Sequence, residues 1–465
     1  MTSMSLAGWS RTIASGDLDA FFREHYGEEG VGRQRERYLA LLSSVKERFG
    51  DRPCASNGGA AGASGVGVSG ATDSGGTGAK AAEEAHLSIF STPGRTELGG
   101  NHTDHNNGRV LAASVHLDSL AAAFPTEDHV VELYSEGFPE PFVVDLRLLA
   151  PAPAERGRTE ALIRGVASRL SALGYQIGGF RGCVTSEVLR GSGLSSSAAI
   201  EVLIGTIFNH LFNEGRIQAV TLAIVGQYAE NAFFGKPCGL EDQLACATGG
   251  IIGIDFRDPA QPQVERLPFD FLEFGYTLMV VNTGGSHDDL TADYAAIPAE
   301  MRAVASAFGR SVCRDITREE VLAAIPRLRE GVGDRAILRS LHFFADDARV
   351  VRQIEALEKR DIEGYLACVR ESGSSSWRLL QNCASPRAAG QPIPLALAVS
   401  DELLAGAGAS RVHGGGFAGT IQVYVPTEHA HPYRSAMEVI FGAGSVTPLR
   451  VRNSGTIAVL LPSRL

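Results

Sequence analysis

The sequence predicts an α/β (α+β) protein made of two layered units that meet near residues 260–275. Three observations predict it. Strand-like apolar runs alternate with stretches of three- and four-residue apolar spacing along most of the chain. At 465 residues, 44% hydrophobic and 20% charged, the chain can fill two ordinary globular cores. A glycine-serine run, Gly191-Ser192-Gly193-Leu194-Ser195-Ser196-Ser197-Ala198-Ala199, joins a strand-like run (Gly182 to Leu189) to a helical one. That is the strand–loop–helix order of an α/β layer.

Residues 5–50 read as helical, because Leu18, Phe21, Phe22, Tyr38, Leu41, Leu42, Val45 and Phe49 recur at helical spacing among charges. From Asp51 to about Gly78 the chain is Gly, Ala and Ser with almost no large apolar residue. Such a stretch cannot bury enough surface to offset its ordering entropy, so a flexible insertion is expected. Strand character follows in His86 to Ser91, Val110 to Leu117, Val130 to Tyr134 and Phe142 to Leu148, the last two joined by a turn at Gly137-Phe138-Pro139. Thr159 to Leu173 is an amphipathic helix, and Gly179 to Leu189 leads into the glycine-serine run. A helix over Ile217 to Phe234 ends at Gly235-Lys236-Pro237, where proline forbids continuation. Gly249 to Phe256 and Tyr276 to Asn282 read as strands, and Ala299 to Leu380 as mainly helix. After a break at Pro392 and Pro394 helix resumes from Leu395 to Ala405; Gly414–Gly419, Ile421–Val425 and Val451–Val459 then read as loop and strands.

The glycine-serine run has the chemistry of an anion site. Glycine before a helix lets the backbone approach a ligand, and the first helical N–H groups point outward with the positive end of the dipole. Phosphate is the simplest occupant. The serines add hydroxyls for phosphate oxygens or Mg²⁺, although a serine before a helix also serves as an ordinary N-cap. No Gly-Lys-Ser/Thr follows, so this is not a Walker A loop.

Three stretches together carry a resemblance. The run at 191–199 is similar to the second motif of the GHMP small-molecule kinases. Pro93-Gly94-Arg95-Thr96-Glu97-Leu98-Gly99-Gly100-Asn101-His102-Thr103-Asp104-His105-Asn106-Asn107-Gly108 resembles the galactokinase signature, and Gly414-Gly415-Gly416-Phe417-Ala418-Gly419 the third, glycine-rich motif. Their order along the chain makes the signal specific. The resemblance implies the two-domain GHMP kinase fold, an N-terminal ribosomal-S5-like domain with a C-terminal ferredoxin-like α/β domain. It divides the chain into a helical segment 1–50, the insertion 51–85, and kinase domains 86–270 and 271–465.

The resemblance also implies roles. ATP phosphates would lie along Gly191, Ser192, Gly193, Leu194, Ser195, Ser196 and Ser197, with Gly415 and Gly416 beside the triphosphate or sugar. Glu230 stands twelve residues before Asp242, as in the family; Glu230 would ligate Mg²⁺ together with Ser197 or Ser196, hard oxygen donors that suit that ion. Asp242 would take the proton of an anomeric hydroxyl, as base or electrostatic positioner, and Arg95 would hold Asp242 ionised and stabilise transferring charge. Asn101, His102, Asp104, the Gly239 backbone and Tyr294 would hold the sugar. Galactokinases carry Val-Asn where this chain has Thr96 and Glu97, Ile for Gly99, Glu for Asn101 and Tyr for His105. Asn101 therefore removes a negative charge from the expected acceptor site, which opens arabinose, uronic-acid or amino-sugar alternatives to galactose. A galactokinase-like sugar sensor is the reading from another class; the intact Ser197-Ala198-Ala199, Glu230, Asp242 and Arg95 favour the enzyme. Mevalonate or homoserine as acceptor is disfavoured by the His102-Thr103-Asp104 block.

The net charge of −11, with no basic block, argues against a nucleic-acid or anionic-membrane surface. No apolar run approaches membrane-spanning length. Seven scattered cysteines without CxxC or Cys/His spacing read as reduced thiols. The expectation is a cytoplasmic protein, monomeric or weakly homo-oligomeric, whose partners are a sugar and ATP.

Overall fold

Two long antiparallel strands, β1 (Ser88–Gly99) and β2 (Arg109–Pro125), form the spine of the molecule. The computed structural model describes residues 3–50, 86–188, 193–284, 290–385, 390–417 and 419–460. The insertion 51–85, with Gly191, Ser192 and Ala418, falls outside them.

In chain order, helices α1 (Leu6–Ser15), α2 (Asp19–Tyr26) and α3 (Val31–Phe49) precede β1 and β2. Then come β3 (Val130–Ser135), β4 (Phe142–Asp145), α4 (Thr159–Ala172), β5 (Phe180–Ser186), α5 (Ser196–Phe212), α6 (Ala219–Tyr228) and α7 (Glu241–Thr248). Strands β6 (Ile251–Asp255), β7 (Gln263–Leu267) and β8 (Tyr276–Asn282) lead to five helices, α8 (Thr291–Ser306), α9 (Arg318–Ala323), α10 (Ile325–Gly331), α11 (Asp334–Glu358) and α12 (Ile362–Ser375). The chain closes with α13 (Pro392–Leu404), β9 (Ala409–Val412), β10 (Thr420–Pro426), α14 (Ala430–Phe441), β11 (Val446–Leu449) and β12 (Ile457–Ala458).

One sheet runs β12-β1-β2-β5-β3-β4, with β6 on the other end of β2 and β7 on β6; the second runs β11-β8-β10-β9. Alternation along β2 places each residue. Leu120, Ala122 and Phe124 face α1 and α3 through Trp9, Tyr38 and Leu42, whereas Ala121 and Ala123 face α4 and α5 through Val166, Leu203 and Ile207. In β8, Leu278 and Val280 join the core shared with α12 and β2, while Met279 and Val281 pack on α13 and α14. Among the described residues no helix is long and apolar enough to cross a membrane.

Several boundaries differ from the sequence reading. β1 continues through the first motif to Gly99, with register shifts at Pro93/Arg95 and Glu97/Gly99. Such bulges bend a strand and re-aim its side chains, which hid the strand pattern. Pro392 stands in the first turn of α13, where its missing N–H has no helical partner to lose, so the helix starts there instead of after a break. The mixed Gln263–Leu267 segment pairs with β6 as an unforeseen strand. The reading of loop and strands after Val425 missed α14, and the expected Val451–Val459 strand resolves into β11 before it and β12 at its end. β12 returns to the first sheet, with Phe90 opposite Ala458, so the last residues serve the sheet that carries the first motif.

Candidate active site

The phosphate-type loop closes on α5 with an unusual cap. Ser195 occupies the N-cap position at φ 60°, and its side chain caps nothing in the helix. The hydroxyl donates instead to Asp242 Oδ2. An ordinary helix cap is thereby excluded for Ser195. Gly193 has φ 75°, and a Cβ there would come within 2.6 Å of Thr420 Oγ1 and 2.7 Å of His413 Nδ1. The loop thus presses against the third motif as only glycine allows. Leu194 points its side chain into the core and accepts the Arg95 N–H at its carbonyl, 3.1 Å away.

Arg95 and Asp242, 147 positions apart, form the centre of the site. Arg95 Nε donates to Asp242 Oδ1 at 2.6 Å, and its Nη1 donates to the Gly193 carbonyl. The β1 bulge turns Arg95 toward this loop, and the first turn of α7 presents Asp242 to it. Burial opposes ionisation of Asp242, but the Arg95 charge and the bonds from Ser195 and Arg95 outweigh it and hold the carboxyl below its ordinary range. Asp242 is therefore a carboxylate at neutral pH.

Beside this pair, Ser197 Oγ donates to Glu230 Oε1 at 3.0 Å. Glu230 sits on a π-helical turn, Ala229–Phe234, that continues α6; such turns recur at functional sites. Lys236 Nζ reaches the same Oε1 at 3.2 Å, and Gln243 Nε2 bridges Glu230 Oε2 at 3.1 Å and Glu201 Oε2 at 2.9 Å. Serine hydroxyl and carboxylate oxygen are donors that fit a hard divalent cation.

At the other end, the turn after β1 carries Asn101, His102 and Asp104. His102 Nε2 donates to the Gly415 carbonyl at 3.0 Å, which leaves Nδ1 free to accept. Burial, then His105, pushes the His102 imidazole down to about 4, so it is neutral at pH 7. Tyr294 OH donates to the Gly416 carbonyl at 2.8 Å. A Cβ on Gly239 would fall 1.7 Å from Asp104 Oδ2, so the backbone of the 235–241 loop touches that carboxylate directly.

A cavity of about 900 Å³ joins the two ends. Arg95, His102, Asp104, Gly193, Ser195, Ser196, Ser197, Gly239, Asp242, Tyr294, Gly415 and Gly416 all line it. Glu230 lies just behind the wall on Ser197. Asn101 departs from its expected place: it is fully buried, with its amide donating to Glu97 Oε1 at 3.0 Å and the Gly414 carbonyl at 2.6 Å.

The fold is similar to Lactococcus lactis galactokinase complexed with galactose, with a TM-score of 0.72 at 23% identity over 90% of this chain and 99% of that one. It is also similar to a mevalonate kinase, with a TM-score of 0.55 at 17% identity over 79% of this chain and 99% of that one. Family models for the GHMP kinases N terminal domain and the galactokinase galactose-binding signature match residues 161–250 and 79–125. A galactokinase of Streptomyces coelicolor is 32% identical over 366 residues, 78% of this chain and 91% of the relative. The chain belongs to the galactokinase family. A second galactokinase, from Glaesserella parasuis, is 28% identical over 343 residues, 74% of this chain and 86% of the relative.

For a galactokinase-family site, the cavity residues that were not foreseen include Glu97, Lys236, Glu241 and His413. Glu97 stood out in the sequence only as a departure from Asn. It pairs with fully buried Arg411 and takes the Asn101 amide, so the negative charge expected to be lost at position 101 is present on the cavity wall. Burial raises Glu97, and Arg411 and then Arg95 offset only part of that rise. Lys236 could have been suspected from its place between Glu230 and Asp242. Nothing in the sequence marks His413, whose role follows from contacts with Thr96 and Thr420 across the fold.

Proposed function

We propose that this protein is an ATP-dependent sugar 1-kinase, a phosphotransferase with an alcohol acceptor, that transfers the γ-phosphoryl of MgATP to the anomeric hydroxyl of galactose. The observation that carries this reading is the Arg95–Asp242–Ser195 cluster. It stands between a helix N-terminus suited to phosphate and a wall of hydroxyl-reading groups, all within one cavity.

Asp242, held ionised, accepts the anomeric proton as the sugar oxygen attacks the terminal phosphorus and the bond to the β–γ bridging oxygen breaks, releasing ADP; Arg95 keeps that carboxylate oriented and offsets charge on the transferring group. The loop 191–197 and the start of α5 cradle the triphosphate, with Gly415 and Gly416 closing over it. Ser197, or Ser196 beside it, and Glu230 would hold Mg²⁺; the ion, when bound, supplies charge neutralisation to the phosphate oxygens. Asp104 and His102 accept hydrogen bonds from sugar hydroxyls, Gly239 and Tyr294 close that end, and Asn101 acts from behind through Glu97. The described cysteines are free thiols, which suits a cytoplasmic site of action.

The test is release of ADP from MgATP with galactose, arabinose, galacturonate, glucuronate and N-acetylgalactosamine in turn. Galactose is expected to give the highest kcat/KM. Folded protein that releases ADP with no sugar in the panel would overturn the reading.

A further inference from the structure

Three carboxylates besides Asp242 line the sugar end of the cavity, and two have partners. Glu97 is held by Arg411 and Asn101. Asp104 accepts the His105 N–H at 2.8 Å. Glu241 is different. It is only 6% exposed, yet Oε1 has no hydrogen-bond partner. Its neighbouring cation, Arg95 Nε, stands 4.0 Å away and is committed to Asp242 at 2.6 Å.

A buried carboxyl oxygen without a donor is costly, and native folds satisfy nearly all such atoms. The structure gives a reason for the group to be tolerated. Glu241 opens α7, burial and the neighbouring carboxylates push its carboxyl toward the neutral form, and its side chain forms part of the cavity wall. The same arginine stands 4.0 Å from Glu241 and 2.6 Å from Asp242, so Glu241 lies beside the proposed base on the cavity wall.

We propose that Glu241 is a further specificity-determining residue, its free carboxyl group accepting a hydrogen bond from one ring hydroxyl of the acceptor sugar. This rests on the sugar-kinase reading above and deepens it: the acceptor is read by a carboxyl next to Asp242 as well as by Asp104. A sugar without that hydroxyl would leave the group unpaired in the closed complex, and this asymmetry gives such sites their discrimination.

The test is a cycle between residue and substrate. kcat/KM is measured for galactose and its 2-, 3-, 4- and 6-deoxy analogues with the wild-type chain, Glu241→Gln and Glu241→Met. Two variants are used so that the isosteric Gln serves if Met does not fold, as checked by thermal unfolding. For one analogue the wild type is expected to lose about tenfold or more relative to galactose, the scale of a buried polar group left without its partner. In the variants that same loss should shrink severalfold. Equal losses in wild type and variants for every analogue would overturn the inference while wild-type turnover of galactose upholds the kinase reading. Folded wild type that phosphorylates no sugar would overturn both.

Discussion

Asn101 donates its side-chain amide to the carboxylate of Glu97 at 3.0 Å, and Arg411 closes on the same carboxylate from the other sheet. Compared with the galactokinase pattern, amide and carboxylate have exchanged places, four residues apart, and still meet.

This exchange predicts a non-additive pair. Asn101→Glu alone sets two buried carboxylates together, and Glu97→Asn alone strands the Arg411 charge. Each should cost about 3–5 kcal/mol of stability, the scale for an uncompensated buried charge. The double exchange should recover at least half of the summed loss, because the two sites are in contact. Urea unfolding of the four proteins measures it; simple additivity would remove the compensation argument.

Asp242→Asn should lower kcat by about 10²–10⁴-fold, the usual contribution of a positioned base, while ATP binding changes little. Single-turnover kinetics and nucleotide titration separate the two effects. Wild-type turnover in this variant would take Asp242 out of the mechanism.

Gly239→Ala should act on the sugar alone. The new methyl would fall on Asp104 Oδ2, so that carboxylate must move. The sugar KM is expected to rise about tenfold or more, since small misplacements of positioning groups are costly, with the ATP KM nearly unchanged. Equal effects on both substrates would show that the loop, not Asp104, was disturbed.

His102 predicts a pH effect with a defined sign. Its folded value is pushed down to about 4, first by burial and then by His105, from an unfolded value of about 6.5. Between these values the unfolded chain binds the proton and the folded chain does not. The neutral imidazole therefore leaves stability intact above pH 6.5 and costs stability as pH falls toward 4. His102→Gln keeps a donor for Gly415 and removes the titration. The stability gap between variant and wild type should shift in favour of the variant from pH 7.5 to pH 5 in urea unfolding; a constant gap would refute the assignment.

The strand at Val110 to Leu117, β8 and the helices α3, α4 and α5 were legible because apolar runs and three- and four-residue spacing are local patterns, even though β2 is buried on both faces. β1 was legible only in its first half, since the bulges that aim Arg95 and Glu97 break the strand period. The segment Gln263–Leu267 carries too few apolar residues to announce a strand; pairing with β6 decides it. At the site, Arg95, Ser197, Glu230 and Asp242 belong to recognisable stretches, and the structure brings their side chains together. Glu97 was marked only as a departure within the first motif, and Glu241 was not singled out.

The amino-acid sequence by itself determined the order of elements, the phosphate-type loop and the residue types able to move a proton beside it, because these are local patterns of period, turn chemistry and charge. Only the tertiary structure decided which carboxyls are satisfied and which face the cavity. That choice depends on partners hundreds of positions away, Arg411 for Glu97 and Asn382 for Asn101. Burial and pairing, not residue type, set whether a carboxyl supports the fold or waits for a ligand.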